Sequence, residues 1–205
     1  MLPIPLLPHF GLNSAIFERN IFNLYKFCLE TMRAFIAIEM PENVNALLQN
    51  LQKRFTGQGK INFTKPPYHL TLKFLGEITQ DQAEKTITLL KEAVFKPFEL
   101  ELERLGVFPN ESYIQVLWVG VKGEQVNDLQ QKIDSKLSGI FGKDSRFHAH
   151  ITLGRVKFLE NKARFKELLK LEVPSRRFEV KEFKLIKSEL TPQGPEYEDV
   201  EVFKV

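Results

Sequence analysis

The stretches YHLTLKFLG at residues 68–76 and HAHITLGRV at residues 148–156 both contain the phrase His-x-Thr-Leu. The chain has only four histidines among 205 residues, and two of them, His69 and His150, open this phrase. The alternation of apolar and polar residues predicts a β-strand at each place. Because side chains alternate between the two faces of a strand, each phrase presents an imidazole and a hydroxyl on the same face.

The two phrases occupy matching places in a longer internal repeat. FIAIEMPENVNALLQNL (35–51) aligns with LWVGVKGEQVNDLQQKI (117–133), and each reads as a strand followed by an amphipathic helix. In both halves a strand carrying His-x-Thr then follows. Repetition of a whole supersecondary unit indicates a duplicated fold. We therefore predict a bilobal α+β fold in which two similar lobes with outer helices face each other across a central cleft.

The predicted boundaries follow from this repeat. The lobes are placed around residues 32–110 and 111–205, and an exchange of strands between them is left open. Residues 1–31 are expected to be an N-terminal extension that precedes a second start at Met32 and is absent from a shorter natural product. A packed amphipathic helix over residues 14–30 is the alternative interpretation.

Composition limits the class of protein. Hydrophobic residues make up 43% and charged residues 27%, which is typical of globular chains and excludes wholesale disorder. The net charge of +3 is compatible with an anionic partner. The single cysteine, Cys28, excludes an internal disulfide framework and a cysteine-rich metal site. No apolar run reaches the roughly 20 residues that span a bilayer. The single cysteine fits a cytoplasmic location, and the mild net charge without an exposed heptad leaves a monomer as the expectation.

Strict alternation predicts which side chains face the cleft. In the first phrase these are His69, Thr71 and Lys73, whereas Leu70, Leu72 and Phe74 face the core. In the second phrase His150 and Thr152 face the cleft, whereas Ile151 and Leu153 face the core. Related by a pseudo-two-fold axis, the lobes would bring two imidazoles and two hydroxyls together.

That set of groups suits an in-line displacement at phosphorus. One neutral imidazole can take a proton from water while one imidazolium gives a proton to the leaving oxygen. Two hydroxyls can donate to the non-bridging oxygens, where negative charge is concentrated. Such a site needs no metal and no cofactor, and it predicts a bell-shaped dependence of rate on pH.

Other candidates surround the two phrases. Arg155 has the wrong parity for the cleft face unless the strand bulges at Gly154, where it would bind phosphate through a bidentate fork. Lys73 is a second candidate cation, and His148 is read as a neighbour or a substrate contact because the first half has no counterpart. Two phenylalanines, Phe35 and Phe63, are candidates for stacking a terminal base, with core packing as the alternative.

Several phrases together resemble a known family. These are MRAFIAIEMPENV (32–44), HLTLKFLGE (69–77), GVFPN (106–110), HAHITLGRVK (148–157) and KSELTPQGPEYE (187–198). They are similar to the RNA 2′,3′-cyclic phosphodiesterases, historically called 2′-5′ RNA ligases, of the 2H phosphoesterase superfamily. The resemblance runs from Met32 to the C-terminus and leaves residues 1–31 outside it.

The resemblance implies a bilobal α+β fold in which two antiparallel-sheet lobes face each other across a central cleft. It also implies a metal-free hydrolysis of RNA 2′,3′-cyclic phosphate ends to 2′-phosphomonoesters. It implies that His69 is the proton donor and His150 the proton acceptor, roles that the near-symmetric halves leave open. It further implies that Thr71, Thr152 and Arg155 bind phosphate. Members of the family also join or cleave 2′-5′ linked tRNA halves, so tRNA fragments are candidate substrates.

Two alternative functions remain at this point. The first is a non-catalytic protein that binds RNA ends on the same fold. The second is a metal hydrolase that uses His69, His148 and His150 as zinc ligands.

Overall fold

The protein, seen in a computed structural model, is described over residues 31–192 and 194–205. Nine strands and four helices are present in this part of the chain. They are β1 (Thr31–Glu39), α1 (Glu42–Lys53), β2 (Gly59–Phe63), β3 (His69–Thr79), α2 (Gln80–Lys91), β4 (Phe98–Asn110), β5 (Tyr113–Lys122), α3 (Gln125–Leu137), β6 (His150–Leu159), α4 (Lys162–Leu168), β7 (Arg177–Val180), β8 (Glu182–Thr191) and β9 (Gly194–Lys204). The expected extension lies outside the described residues except for Thr31, which begins β1, and so does the alternative helix over 14–30.

The strands form one curled antiparallel sheet in the order β7-β4-β5-β6-β3-β1-β8-β9, with β2 paired to β6. A first half-sheet (β3, β1, β8, β9) and a second half-sheet (β6, β5, β4, β7) meet where Leu70 of β3 pairs with Ile151 of β6. The predicted α+β fold with two antiparallel repeats is therefore confirmed, although the two lobes share a continuous sheet.

Each half-sheet contains strands from both halves of the sequence. A tight turn joins β4 to β5, in which the Asn110 carboxamide oxygen accepts hydrogen bonds from the backbone N–H groups of Ser112 and Tyr113. Because this hairpin keeps β4 beside β5, β4 lies in the second half-sheet although it precedes residue 111. In the same way β8 and β9 lie beside β1 of the first half-sheet.

The helices cover the face of the sheet that is turned away from the cleft. Helix α1 buries Val44, Leu48 and Leu51, and α3 buries a similar apolar stripe. Helix α1 contacts β6 and α3 contacts β3, so each helix packs against the histidine strand of the other repeat. Helix α2 begins with the capping box that the sequence contains at Thr79 and Gln82.

Strand β3 departs from simple alternation directly after its histidine phrase. Thr71 pairs with Ala37 and Lys73 pairs with Ile36, so Leu72 is an extra residue that forms a β-bulge. The side chains after the bulge therefore point to the opposite face from the one that alternation predicts.

Strand β6 carries a bulge at the matching place. Thr152 pairs with Trp118 and Gly154 pairs with Leu117, so Leu153 is the extra residue. Leu72 and Leu153 are separated by the same interval as His69 and His150. The repeat therefore extends to the irregularities of its strands.

The bulges correct two predictions and satisfy the condition of a third. Lys73, predicted on the cleft face, is 3% exposed and forms an ion pair with Asp134 on the helix side of the sheet. Phe74, predicted in the core, is 65% exposed on the cleft side. Arg155 reaches the cleft face because the bulge at Leu153 reverses its parity. None of the four helices in residues 31–192 and 194–205 has the length and hydropathy needed to span a bilayer.

Candidate active site

Four polar side chains form the floor of the cleft: His69, Thr71, His150 and Thr152. The pairing of Leu70 with Ile151 arranges them, because both of these residues are fully buried on the core face and their sequence neighbours must point the other way. Since the two strands are antiparallel, each histidine lies next to the threonine of the other strand, where opposite side chains are about 5 Å apart. Two imidazoles and two hydroxyls therefore share one small surface.

The first half-sheet surrounds His69 with a carboxylate and two aromatic rings. Glu39 of β1 is its register partner, and the two side chains approach to 3.8 Å between Nε2 and Oε2. The rings of Phe35 and Tyr197 meet the imidazole edge to face at centroid distances of 5.8 and 5.0 Å. Glu39 also accepts a hydrogen bond of 3.0 Å from Lys184 of β8. The imidazole is thus enclosed, with one ionised partner.

Burial dominates the acidity of His69. Enclosure lowers its pKa from 6.5 to about 4, because the imidazolium loses water that the rings cannot replace. The Glu39 carboxylate acts in the opposite direction, Lys184 lowers the pKa further, and Asp199, which pairs with Lys184, raises it. In the free protein His69 is therefore neutral near pH 7, and Glu39 is the neighbour that most favours its protonation.

The second half-sheet fixes the tautomer of His150. The His148 carbonyl lies 2.7 Å from Nδ1, and because a carbonyl only accepts hydrogen bonds, Nδ1 carries the hydrogen. Nε2 then bears the lone pair. The ring of Phe108 meets this imidazole at right angles with a centroid distance of 4.9 Å.

The pKa of His150 is lowered, chiefly by burial. The hydrogen bond to the His148 carbonyl opposes this shift, and the charges of His148 and Arg155 reinforce it. A neutral imidazole with a free Nε2 is the form that a proton acceptor requires.

The two histidines differ in their register partners. Glu39 lies opposite His69 in the pairing of β1 with β3, whereas Gly120 lies opposite His150 in the pairing of β5 with β6. The neighbour of the first imidazole therefore carries a negative charge, and the neighbour of the second carries no side chain.

The walls differ again one step along the strands. In the first half-sheet Ala37 of β1 pairs with Lys184, whose ammonium forms ion pairs with Glu39 and Asp199. In the second, Trp118 of β5 pairs with Gly106, where a Cβ atom would lie 2.2 Å from the indole ring. The wall beside His69 therefore includes the Lys184 ammonium, whereas the wall beside His150 includes the Trp118 indole.

The remaining predicted residues fall into three positions. Arg155 is exposed on the cleft face and acts electrostatically on both His150 and Tyr197. The His148 ring is exposed and packs against Trp118 at a centroid distance of 4.9 Å. Phe35 is 7% exposed beneath His69, too enclosed to stack a base.

Phe63, the other aromatic candidate, is half-buried and packs against the core cluster. The alternative of core packing therefore describes both phenylalanines better than base stacking does.

Sequence reasoning missed the residues that form the walls: Glu39, Phe108, Trp118, Lys184 and Tyr197. Each lies on a strand that joins the site only through the sheet topology. The sequence did contain one signal of the difference between the walls. The matched stretches FIAIE (35–39) and LWVGV (117–121) end in Glu39 and Val121, so only the first ends in a charged residue. The phrases GVFPN and KSELTPQGPEYE, which carry part of the family resemblance, contain Phe108 and Tyr197.

No three side chains of His, Cys, Asp or Glu come together as a metal-binding group within residues 31–192 and 194–205. His69 contacts the first half-sheet, whereas His148 and His150 contact Phe108 and Trp118 of the second. The geometry therefore gives the three histidines no common coordination site.

Comparisons with known proteins agree with this architecture. The family model described as LigT-like phosphoesterase matches twice, over residues 38–118 and 119–197. A curated RNA 2′,3′-cyclic phosphodiesterase of Methanocaldococcus jannaschii is 37% identical over 170 residues, which cover 82% of this chain and 97% of that protein. One from Archaeoglobus fulgidus is 33% identical over 179 residues, covering 84% and 100%.

Solved structures share the fold. TT0787 of Thermus thermophilus superposes with a TM-score of 0.72 at 29% identity, covering 84% of this chain and 97% of that one. LigT of E. coli in complex with 3′-AMP superposes with a TM-score of 0.69 at 22% identity, covering 86% and 99%. The two histidine strands therefore belong to an architecture that solved structures already contain.

The enclosure of His69 makes a prediction about stability and pH. The unfolded chain takes up a proton near pH 6.5, whereas the folded chain takes it up only near pH 4. Stability from this residue is therefore complete above pH 6.5 and is lost as the pH falls from 6.5 towards 4. We expect His69→Gln to remove roughly 2–3 kcal/mol of the decline in unfolding free energy across this window, measured by chemical denaturation. Equal declines in the two proteins would contradict the prediction.

Proposed function

Because the chain belongs to the LigT-like phosphoesterase family, we propose that it hydrolyses the 2′,3′-cyclic phosphodiester at the end of an RNA chain to a 2′-phosphomonoester. The observation that carries this proposal is the paired floor of the cleft, in which two imidazoles and two hydroxyls meet across the Leu70–Ile151 pairing. The names of the curated relatives support the choice of substrate.

In the proposed reaction His150 is the proton acceptor. Its Nε2 lone pair takes a proton from a water molecule whose oxygen attacks phosphorus. The hydrogen bond from Nδ1 to the His148 carbonyl keeps this lone pair available and stabilises the positive charge that develops on the ring.

His69 is the proton donor. As the bond between phosphorus and O3′ breaks, its imidazolium gives a proton to O3′, which leaves as a hydroxyl while the phosphate stays on O2′. The substrate carries one negative charge, which acts with Glu39 against the burial that keeps His69 neutral in the free protein. Solvent then returns the proton from His150 to His69 before the next cycle.

Thr71 and Thr152 donate hydrogen bonds to the non-bridging oxygens of the phosphate, and Arg155 supplies a guanidinium at the same face. These contacts strengthen as charge accumulates on phosphorus. The cleft needs no metal in this scheme, because proton transfer and charge stabilisation both come from side chains.

The same site can use a terminal RNA hydroxyl in place of water. Attack by that hydroxyl on phosphorus, with departure of O3′, would form a 2′-5′ linkage, and the reverse step would cleave it. Joining of tRNA halves, a monomeric state and a cytoplasmic location belong to this proposal.

The proposal predicts the product and the effect of each histidine. We expect the wild-type protein to convert an oligonucleotide 2′,3′-cyclic end into a 2′-phosphate, identified by ³¹P NMR. His69→Ala and His150→Ala should each lower kcat by about 10²–10⁴-fold, since each removes one proton transfer.

The controls separate the rival functions. Activity should survive exhaustive chelation, whereas its loss would support a metal hydrolase. Binding of the oligonucleotide without turnover would support a non-catalytic protein. A 3′-phosphate product would contradict the assignment of the leaving oxygen.

A modified substrate tests which histidine is the acid. When sulfur replaces the bridging O3′, the leaving group is a thiolate that departs without a proton, because thiols are far more acidic than alcohols. We expect the defect of His69→Ala to shrink to about 10-fold or less with this substrate, while that of His150→Ala persists. Rescue of His150→Ala instead would reverse the two assignments.

A further inference from the structure

One polar side chain of helix α1 crosses from the first repeat to the second. The Gln52 amide nitrogen donates to the Leu153 carbonyl at 2.8 Å and to the Thr64 carbonyl at 2.7 Å. Leu153 is the extra residue of the β6 bulge and directly follows Thr152, the last residue of the His-x-Thr phrase in that strand. Thr64 lies in the segment that leads from β2 to His69.

Helix α3 makes the corresponding contact in the other direction. The Asp134 carboxylate accepts a hydrogen bond from the Lys73 ammonium and another, at 3.1 Å, from the backbone N–H of Asp144. Lys73 follows the extra residue of the β3 bulge and also donates to the Gly142 carbonyl at 2.7 Å. Gly142 and Asp144 lie in the loop that leads from α3 to His150.

The two contacts, which we name the α1 pin (Gln52) and the α3 pin (Lys73 with Asp134), have the same design. Each joins a helix, the segment before the histidine strand of that helix's own repeat, and the bulge of the histidine strand in the other repeat. Each therefore joins segments of the two repeats that lie three to eight residues from His69 or His150.

The α3 pin is costly as a source of stability alone. Lys73 is 3% exposed and Asp134 is also buried, and the desolvation of two buried charges offsets much of their attraction. A pair of apolar residues could fill the same space. The pin holds the loop that leads to His148, whose carbonyl sets the tautomer of His150.

We propose that Gln52 and the Lys73–Asp134 pair are positioning residues that set the placement of His69 relative to His150. Acid and base must lie on opposite sides of phosphorus, and a displacement of about 1 Å can cost roughly 10²-fold in rate. The kinetic part of this inference rests on the proposed function, whereas the effect on the His150 tautomer does not.

The first experiment separates positioning from stability at the α3 pin. Asp134→Leu leaves the Lys73 charge buried without its partner, so Tm should fall. The double variant Lys73→Met/Asp134→Leu leaves no buried charge, so Tm should recover. In this double variant the loop before His150 has lost its hydrogen bonds to Lys73 and Asp134. We therefore expect kcat to stay about 10–100-fold below wild type while KM changes by less than about 3-fold. Recovery of kcat together with Tm would overturn the proposal.

The matched control for this pin is Gln130→Leu. Gln130 is buried one turn earlier on the same helix, and its amide nitrogen has no hydrogen-bond partner within the described residues. Its removal should leave kcat at the wild-type value. A loss of kcat equal to that of the double variant would show that any change on this helix disturbs the site, and would overturn the assignment to the pin.

A variant of the α1 pin tests the proposal without the removal of a charge. Gln52→Leu removes the side-chain donor from the Thr64 and Leu153 carbonyls. The Leu153 carbonyl keeps only its hydrogen bond of 2.9 Å from the Thr64 N–H, and we expect kcat to fall by about 10-fold or more with little change in KM. Gln49→Leu, on the same helix one turn earlier, is its control and should retain activity. Wild-type kcat in Gln52→Leu would remove this pin from the proposal, even if the charged variants fail to fold.

A spectroscopic measurement tests the α3 pin without turnover. The ¹⁵N shifts of the His150 ring should show hydrogen on Nδ1 alone in the wild-type protein and a mixture of tautomers in Lys73→Met/Asp134→Leu. If the wild type hydrolyses no cyclic phosphodiester, the proposed function fails, and this measurement still decides whether the pin holds His150. An unchanged tautomer in the double variant would overturn the proposal.

Discussion

The pairing of Leu70 with Ile151 is the constraint on which the candidate site depends. It is the place where two half-sheets become one sheet, and both side chains are fully buried. Because a strand alternates faces, burying these two residues turns their neighbours, two histidines and two threonines, towards the cleft. A slip of one residue in either strand would turn the histidine of that strand towards the core and would expose its buried residue, Leu70 or Ile151, to water. The hydrophobic effect on two side chains thus orients four polar ones.

The floor of the cleft could be predicted from the sequence because it follows from local alternation and from a repeat. Beyond the floor, alternation failed at Lys73 and Phe74, since a bulge at Leu72 reverses the faces. Nothing local marks that bulge in the first copy, whereas Gly154 marks the second. Bulges depend on register with a neighbouring strand that is distant in sequence, and a single strand read by itself does not contain that information.

The walls and the helix contacts were beyond sequence reasoning for a related reason. Glu39, Phe108 and Tyr197 belong to three strands that reach the histidines only through the order of the sheet. Gln52 touches Leu153 across a separation of 101 residues, and Lys73 touches Asp134 across 61. Such contacts become visible only when the exchange of strands between repeats is known. The resemblance to a family implied roles for the two histidines but gave no account of what distinguishes them physically.

The unequal partners of the two histidines bear on regiochemistry. A cyclic diester offers two bridging oxygens of similar chemistry, and a floor with half-turn symmetry would accept either of its two orientations. The walls lack that symmetry. Glu39 is the register partner of His69, whereas Gly120 is the register partner of His150. Lys184 pairs with Ala37 in the first half-sheet, whereas Gly106 pairs with Trp118 in the second. In the proposed reaction the choice between the 2′ and the 3′ isomer of the product is therefore made by neighbours that transfer no proton. A duplicated fold can in this way favour one orientation of its substrate without a change in either of its duplicated histidines.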